Sequence, residues 1–423
     1  MGSTREFINW SGSVSCQPTE WHRPADEADV VHLVRDARER GRTVRPVGSG
    51  HSSTPLVATD DALVDLHRLS GVVSTDPEQG LATVLPGTGL ADLGRELAEA
   101  GVGMENLGDV DYQSIAGALA TGTHGTGARI GNLSSMLVGG RLVTGTGEVI
   151  AFGTDRPKNQ HQPDDGDDRL LRAAQASLGS LGILTSLTLR VRPAYQLHRT
   201  NWMTHIDWVL EHYAELVEQN RNFDFYWYPR SDLAQVRMLN EPGDEPELVP
   251  PGRLKRDETG PSYEIIPNRR EIHFEEMEYM LPLDTTLEAF RQVRQRVKER
   301  HRDRVGWRVL VRTIAPDRGM LSTAGGRPTM TIALLHNASL PYREYFSDLE
   351  PLLRSFDGRP HWGKKHSATA PRLASLYPEW NEFGAVRREL DPEGVFLNDH
   401  LRELLIEPPD GRQPSPDEIW KER

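Results

Sequence analysis

Cysteine is almost absent from this chain of 423 residues, which contains only Cys16. A single cysteine excludes an intrachain disulfide and a metal site built from several thiolates. No stretch approaches the run of about 18 apolar residues that a membrane span requires, so we expect none. The amino-terminal segment has neither the basic start nor the apolar run of a secretory signal. These absences predict a protein of the reducing cytoplasm.

Basic residues are also fewer than acidic ones. The chain has 49 Lys and Arg against 62 Asp and Glu, which gives a net charge of −13. The basic residues are scattered, and this argues against a nucleic acid or an anionic membrane as partner. The composition is that of a globular protein, and the length favours two or three domains. The sequence gives no prediction of oligomeric state.

Hydrophobic patterning divides the chain into three parts. We expect an α+β domain over 1–195, a middle domain with an antiparallel sheet over 196–355, and a segment over 356–423 that returns to the first domain. In the first domain, apolar periodicity and capping residues predict these helices and strands: helices over 24–41 and 89–101, and strands over 42–48, 62–66 and 81–87. Polar, proline-containing stretches at 154–170 and 241–262 indicate loops.

Two glycine-rich turns lie in the first domain, GSGHS at 48–52 and GDVDYQSIAGALATGTHGTG at 108–127. Glycines let main-chain N–H groups approach an anion closely, so two such turns could hold the pyrophosphate of a dinucleotide. Neither turn matches the G-x-G-x-x-G fingerprint of nicotinamide enzymes or the phosphate loop G-x-x-x-x-G-K-[ST]. Taken singly, each could equally be an ordinary turn.

Five motifs, in order, resemble those of the flavin-linked oxidases of sugars, the family of the vanillyl-alcohol-oxidase fold that includes alditol oxidases and aldonolactone oxidases such as gulonolactone and arabinonolactone oxidase. They read RPVGSGHSS, QSIAGALATGTHGTG, SLGSLGILTSLTL, RPHWGK and DPEGVFLN. The resemblance extends from about Trp10 to Leu405 and is thin in the middle. It implies an α+β fold, with a two-subdomain FAD-binding domain and an antiparallel α+β cap domain over the substrate.

The resemblance also implies how FAD is held. His51 matches the family histidine that is bonded through a ring nitrogen to the flavin 8α-methyl carbon. Such a link would raise the reduction potential and prevent loss of the cofactor. The cofactor-binding residues implied by the family are Val47, Gly48, Ser49, Gly50, His51, Ser52, Ser53, Gly108, Asp109, Ser114, Gly117, Thr121, Gly122, Thr123, His124, Ile183 and Lys364. For His124, a purely local role in ordering its turn is an equal alternative, and Ile183 is also compatible with a plain core position.

Three residues are implied as catalytic: Lys364, Arg312 and Ser114. Lys364 matches a lysine that faces flavin and substrate, where an ammonium can stabilise developing negative charge. Arg312 fits an arginine that contacts both, with a plain salt bridge as the alternative, and Ser114 matches a serine that contacts flavin and substrate. The implied substrate-binding residues are Ser114, Arg312, His336, Trp362 and Lys364.

His361 is expected to line the same wall as Trp362. A metal site at His361 and His366 is not expected, because the sequence shows only two imidazoles there and no nearby cysteine or carboxylate set.

One position departs from the family pattern. The strand that reads Glu-x-Arg-Thr in alditol oxidases has Leu310 at the glutamate position, and a family histidine falls at Ala333, with His336 three residues away. Leucine cannot accept a hydrogen bond from a polyol. The substrate is therefore either less polar, or another group such as His336 replaces the carboxylate.

The predicted function is oxidation of a CH–OH group of a polyol, sugar or sugar lactone by hydride transfer to covalent FAD. Oxygen, giving hydrogen peroxide, or another acceptor would reoxidise the flavin. The alternative is a flavoenzyme of the same fold that oxidises a non-sugar biosynthetic intermediate, suited to Leu310. A binding protein that has lost the cofactor is a third hypothesis, which the colour of the purified protein would test.

Overall fold

The structure is a computed structural model that describes residues 5–155, 168–406 and 418–420. Residues 156–167 of the expected loop at 154–170 therefore lie outside the described residues. Among the helices within these ranges, none has both the length and the apolar character needed to cross a bilayer.

In the first half of the chain, the described residues form short strands and four helices. The strands are β1 (Phe7–Ile8), β2 (Ser15–Cys16), β3 (Glu20–His22), β4 (Val44–Val47), β5 (Ala62–Asp65), β6 (Val72–Asp76), β7 (Leu81–Val84), β8 (Val102–Gly103), β9 (Leu137–Val143), β10 (Val149–Gly153), β11 (Ile183–Arg190) and β12 (Arg192–Pro193). The helices are α1 (Glu27–Glu39), α2 (Leu90–Glu99), α3 (Ile115–Ala120) and α4 (Arg169–Ala174), with single 3₁₀ turns at Leu66–Arg68 and Leu133–Met136.

The second half contains most of the long strands and the longest of the described helices. The strands are β13 (Gln196–His205), β14 (Asn222–Tyr228), β15 (Leu233–Asn240), β16 (Arg253–Pro261), β17 (Phe274–Pro282), β18 (Val309–Ile314), β19 (Thr329–Asn337) and β20 (Arg359–Pro360). The helices are α5 (Ile206–Glu211), α6 (Tyr213–Gln219), α7 (Ser262–Ile265), α8 (Thr286–Arg300), α9 (Arg343–Ser355), α10 (Ala370–Leu376), α11 (Trp380–Leu390) and α12 (Asp399–Leu405).

The predicted helices and strands of the first domain are confirmed. Helix α1 begins because the Asp26 side chain accepts the Asp29 N–H, and its apolar stripe packs on the parallel sheet β3-β5-β4. An antiparallel sheet of order β10-β9-β11-β7-β6 forms the second layer of this half. These two small sheets are the two subdomains that the resemblance implied.

The second half is organised by one antiparallel sheet of eight strands, in the order β16-β13-β15-β14-β18-β19-β17-β20. One face, the helix face, packs on α8 and α9 through an apolar cluster that includes Phe225, Val311, Ile332 and Phe346. Alternate residues of the same strands point the other way, towards the first half of the chain. We call this second surface the cleft face. The mixed fold with an antiparallel cap sheet is as expected.

The prediction of a loop throughout 241–262 was wrong for its second part. Residues 253–261 form strand β16, which pairs with β13 at the edge of the eight-stranded sheet. Its side chains are largely exposed and several are charged, such as Lys255 and Asp257, as is common for edge strands. Because backbone hydrogen bonds hold this strand and most of its side chains are exposed, its sequence needs no apolar periodicity.

The last part of the chain contacts both halves. Strand β20 pairs with β17, the Val44 N–H donates to the Val395 carbonyl at 2.8 Å, and the Asn398 side chain bonds to the carbonyl of Pro55 at 2.9 Å. The start of this segment therefore joins the eight-stranded sheet, and its later part contacts the first half of the chain near the glycine-rich turn. The exact division into domains remains a prediction.

Candidate active site

The first glycine-rich turn follows β4 directly and packs against the second. A Cβ atom at Gly48 would lie 1.8 Å from Ser114 Oγ and 2.9 Å from Ser114 Cβ, so only glycine allows the two turns to approach this closely. Gly50 has φ +62, a left-handed conformation that glycine adopts without strain. The two segments singled out from the sequence thus form one structure.

A cleft runs along these turns. It encloses about 970 Å³ of empty space, a volume that includes the part open to solvent. The predicted cofactor residues that line it are Val47, Gly48, Ser49, Gly50, His51, Ser52, Ser114, Gly117 and Thr121. The segment 177–179, with Gly182 and Leu184, forms another part of the wall. This cleft has the backbone-rich wall that suits the pyrophosphate of a dinucleotide.

A buried arginine that the sequence analysis did not single out supports the cleft wall. The Arg45 guanidinium donates to the carbonyls of Leu56, Leu178, Gly179 and Phe396, and burial lowers its pKa to about 9. It therefore ties two segments of the wall, at Leu56 and at 178–179, to the carboxy-terminal part of the chain at Phe396. Its only sequence signal is its place three residues before the first glycine of the GSGHS turn.

His51 lies at the end of the cleft nearest the sheet, among aromatic rings. Its ring centroid is 4.7 Å from that of Trp10, 6.3 Å from Tyr112 and 6.5 Å from Phe274. Its Nδ1 is shielded from solvent and has no hydrogen-bond partner among the described residues. Burial, with the nearby charges of Lys364 and His273, lowers the pKa of His51 to about 3, so the ring is neutral. An unpartnered, neutral ring nitrogen at the cleft fits a histidine that is bonded to a flavin.

The lysine motif meets this turn from the other side. The Ser53 N–H donates to the Gly363 carbonyl at 2.8 Å, and Thr54 Oγ1 donates to the Trp362 carbonyl at 3.0 Å. Lys364 Nζ forms an ion pair with Glu276 and lies 5.8 Å from the centre of the Phe274 ring. The structure thus brings Lys364 and His51 to the same aromatic region, from positions more than 300 residues apart.

Arg312 lies on the cleft face within a buried polar cluster. Its Nη2 is 2.6 Å from Glu278 Oε1 and 3.3 Å from His124 Nε2, and its Nη1 donates to the His124 carbonyl at 3.1 Å. Burial works to raise the pKa of Glu278, but Arg312, His124 and His361 hold it well below its usual range. The pair is therefore charged and binds the second glycine-rich turn to the sheet.

The expectation that no carboxylate lies near His361 was wrong. Glu278 comes from β17, and the potential ligand atoms of His124, Glu278 and His361 lie within 4.8 Å of one another. The Arg312 guanidinium, however, contacts both the Glu278 oxygen and the His124 nitrogen, so these two groups already have a cationic partner. The arrangement is that of an ion-pair cluster.

The glutamate missing at position 310 has counterparts on a different strand. Leu310 lies opposite Ala333, and Ala333 lies opposite Glu278 on β17, so all three share the cleft face. Leu310 itself packs in an apolar cluster with Tyr226. Glu276 lies two residues before Glu278 on β17 and therefore shares its face. The carboxylates of the site, Glu276 and Glu278, were missed because strand register, and not a motif, places them there.

Two predicted substrate-binding residues lie apart from this cluster. His336 is opposite Glu275 and packs against Tyr345, on the helix face of the sheet. The Trp362 ring is buried, stacks on Tyr377 and donates to the Leu321 carbonyl at 2.7 Å. Their side chains are directed into the protein core, so neither supplies a polar group to the cleft face.

The other predicted cofactor residues occupy the surroundings of the cleft. Asp109 pairs with Arg270 and accepts from Tyr226 Oη at 2.8 Å, so its carboxylate faces the sheet. Thr123 Oγ1 accepts from Gln113 Nε2 at 3.2 Å. Ile183 lies in the apolar core between two residues that line the cleft. Ser53, Gly108 and Gly122 lie within the two turns, outside the lining.

The chain is similar to two known protein families and to several enzymes. Residues 187–257 and 249–404 match the D-arabinono-1,4-lactone oxidase family, and residues 20–153 match the FAD binding domain family. The chain is 37% identical to L-gulono-1,4-lactone dehydrogenase of Mycobacterium tuberculosis, over 94% of this chain and 99% of that protein. It is 29% identical to alditol oxidase of a Streptomyces species, over 94% and 98%, and 23% identical to L-gulonolactone oxidase of Mus musculus, over 95% and 98%.

Solved structures extend the likeness to the fold. The crystal structure of cholesterol oxidase from Brevibacterium sterolicum superposes with a TM-score of 0.80, at 17% identity, over 95% of this chain and 96% of that one. At this identity the match concerns the fold alone.

Proposed function

The chain belongs to the D-arabinono-1,4-lactone oxidase family and is an FAD-dependent oxidoreductase, and from this premise we propose that it oxidises a CH–OH group of a sugar lactone or related polyol with FAD bonded covalently to His51. The proposal is carried by one observation, the meeting of the His51 turn with the lysine motif through the bond from Ser53 N–H to the Gly363 carbonyl. This contact brings the cleft along the two glycine-rich turns next to Lys364 and its partner Glu276.

The residues of the two turns would hold the cofactor. Residues 48–52 of the first turn line the cleft together with Ser114, Gly117 and Thr121, and backbone donors from such turns suit a pyrophosphate. His124 and Gly122 would support the second turn from behind. FAD, when bound, supplies the acceptor for the hydrogen and the two electrons removed from the carbinol carbon.

The charged groups of the cleft face would orient the substrate and take its proton. Lys364 Nζ and the Arg312 guanidinium donate to the reacting oxygen, and Ser114 Oγ contacts it from the turn. Glu278 is a weak base because Arg312 and His124 hold its pKa down, so its role is to fix Arg312. Glu276, paired with Lys364, is the carboxylate that we assign to receive the hydroxyl proton.

The covalent link is tested by acid precipitation of the purified protein. We expect the yellow colour to remain in the pellet of the parent protein and to be released into the supernatant for His51→Ala. His32→Ala is the matched control, because His32 is an exposed histidine on α1. Release of the colour from the parent protein would refute the bond to His51 and leave the FAD assignment intact.

The electron acceptor and the substrate are tested together. We propose oxygen as the acceptor, giving hydrogen peroxide, with another acceptor as the alternative that dye reduction in the absence of oxygen would reveal. Turnover would be compared across aldonolactones, alditols and hydroxylated metabolites. Peroxide formed with a lactone or polyol supports the proposal, and failure of every such compound would refute it.

A second candidate is oxidation of a non-sugar compound. It is favoured by one feature, the apolar cluster of Leu310 with Tyr226, Phe274, Ala333 and Leu335 on the cleft face. Turnover of a hydroxylated metabolite with sugars inert would select this candidate. For location, the absence of a second cysteine supports the reducing cytoplasm, and we propose that compartment.

A further inference from the structure

Almost all cations on the cleft face have a carboxylate or carbonyl partner. The ion pairs are Arg237 with Asp224, Arg270 with Asp109, Arg312 with Glu278 and Lys364 with Glu276. Arg199 donates to the oxygens of Asn201 and Asn268 and to the Ile265 carbonyl. The charge of this face is therefore largely balanced within the protein.

Arg308 is the exception. Arg308 is only 8% exposed, and its Nε has no hydrogen-bond partner in the described ranges. Its closest polar contact there is Nη1 to Tyr228 Oη, at 3.4 Å. Otherwise the guanidinium carbon lies 4.1 Å from the Tyr226 ring centre and 5.0 Å from that of Trp307. A guanidinium that is mostly buried and has no anion beside it is costly, and such a group calls for a ligand.

Arg308 has the right position to meet a substrate. It immediately precedes β18 and alternates with Leu310 and Arg312, so it shares their face. A continuous set of aromatic contacts joins it to the cofactor cleft. His51 and Phe274 lie 6.5 Å apart, and Phe274 and Trp307 lie 5.2 Å apart.

We propose that Arg308 is a specificity-determining residue that binds a carboxyl-derived group of the substrate, either the C(=O)–O of a sugar lactone or the carboxylate of its open aldonate. This inference rests on the proposed function, because it names the end of the substrate that the site distinguishes. Guanidinium presents only donors in a fixed fork, which matches two carboxyl oxygens better than alternating hydroxyls. Leu310, the neighbour on the same face, offers no acceptor that could compete.

The test compares three compounds of one carbon series: an aldono-1,4-lactone, its hydrolysed aldonate and the corresponding alditol. For Arg308→Gln we expect KM for the carboxyl-bearing substrate to rise about 10- to 100-fold, and KM for the alditol to change less than about twofold. Arg308→Lys keeps the charge but loses the fork, so its effect should be intermediate. Arg304→Gln is the matched control, because Arg304 is exposed and pairs with Glu344 at the surface.

The outcomes separate the two sources of the carboxyl group. A selective loss for the lactone identifies the lactone carbonyl, and a selective loss for the aldonate identifies the carboxylate. An equal change for all three compounds, or no change, would overturn the proposal. If Arg308→Gln does not fold, as judged by FAD content and melting temperature, Arg308→Lys decides by the same comparison.

Failure of the proposed function can be told apart from failure of this inference. If the parent protein oxidises none of the compounds, calorimetric binding of the aldonate and of the lactone to the FAD-loaded protein still measures the role of Arg308. Binding that weakens at least about tenfold in Arg308→Gln would support it. Absence of binding to the parent protein, or equal binding to both proteins, would refute it.

Discussion

The two parts of the proposed site are built from different materials. The part formed by the first half of the chain consists mainly of main chain and small side chains, with Gly48 pressed against Ser114 and residues 48–52 lining the cleft. The other part, the cleft face of the sheet, carries buried ion pairs such as Arg312 with Glu278. The first part suits a cofactor that is the same in every cycle, whereas the second can be varied residue by residue to suit a substrate.

The difference also concerns how each side resists change. A backbone wall fails when a side chain is added, because there is no space for it. A wall of ion pairs fails when one partner is removed, because the other is left as an uncompensated charge. Substitutions that break each side in its own way therefore test this comparison.

The largest effect is expected from Arg312→Met. Glu278 is fully buried and would lose its cation, so we expect a loss of about 3–5 kcal/mol in the free energy of unfolding, measured by denaturant titration. Turnover should also be lost, because Arg312 orients the substrate in the proposed function. The double variant Arg312→Met/Glu278→Gln should recover stability but not turnover. A double variant as unstable as the single one would contradict the account of this pair.

A large effect on rate alone is expected from Glu276→Gln. The substitution keeps the size of the side chain and removes the carboxylate that we assign to receive the proton. We expect kcat to fall at least about 10²-fold with KM nearly unchanged, in line with the usual contribution of a general base. Glu275→Gln is the comparison, since Glu275 lies next in sequence but on the helix face. Similar kcat values for the two variants would remove Glu276 from the mechanism.

On the backbone side, Gly48→Ala should separate FAD retention from folding. The new Cβ would collide with Ser114, and the displacement should cost about 1–3 kcal/mol and open the cleft wall. We expect a lower ratio of flavin to protein in the purified variant. Gly384→Ala, within α11, is the control that should retain the full flavin content, because it faces only the end of the Arg388 side chain. Full flavin content in Gly48→Ala would show that the close approach is unimportant.

The smallest effect concerns pH. Burial and the charges of Lys364, His124 and Arg312 outweigh Glu278 and lower the pKa of His361 well below its usual value near 6.5. Below that value the unfolded chain binds a proton that the folded protein does not, so stability falls as the pH drops. One such group contributes at most about 1.4 kcal/mol per pH unit.

This pH dependence is measured by denaturant titration between about pH 7 and about pH 5. We expect His361→Asn to have a shallower loss of stability than the parent protein over this range. His32→Asn, at an exposed position, should follow the parent. Identical slopes for the parent and His361→Asn would contradict the assignment.

The same comparison explains what the sequence could predict. The backbone side follows from local chemistry, because a glycine turn after a strand carries its own signal, and both turns were identified on that basis. The sheet side depends on register: Glu278 and Arg312 are 34 residues apart, and Lys364 and Glu276 are 88 apart. No local pattern distinguishes Glu276 or Glu278 from other charged residues of a strand, so both were missed.

Alternation within a strand accounts for the remaining differences. His336 was proposed as a substitute for the carboxylate missing at Leu310, but an odd offset from Ala333 places it on the opposite face of the sheet. Strand β16 was missed because an edge strand held by backbone hydrogen bonds needs no apolar period. Trp362 lies within the RPHWGK motif, but its large ring is buried in the core.

The central claim is that the cleft and the charged cleft face act together on one hydroxylated substrate. The most direct measurement mixes the purified yellow protein with an aldono-1,4-lactone in the absence of oxygen and follows the visible absorbance. The account predicts that the yellow absorbance disappears rapidly with the parent protein and at least about 10²-fold more slowly with Glu276→Gln. Absorbance that persists with every lactone and polyol, in a protein that a chemical reductant still bleaches, would contradict it.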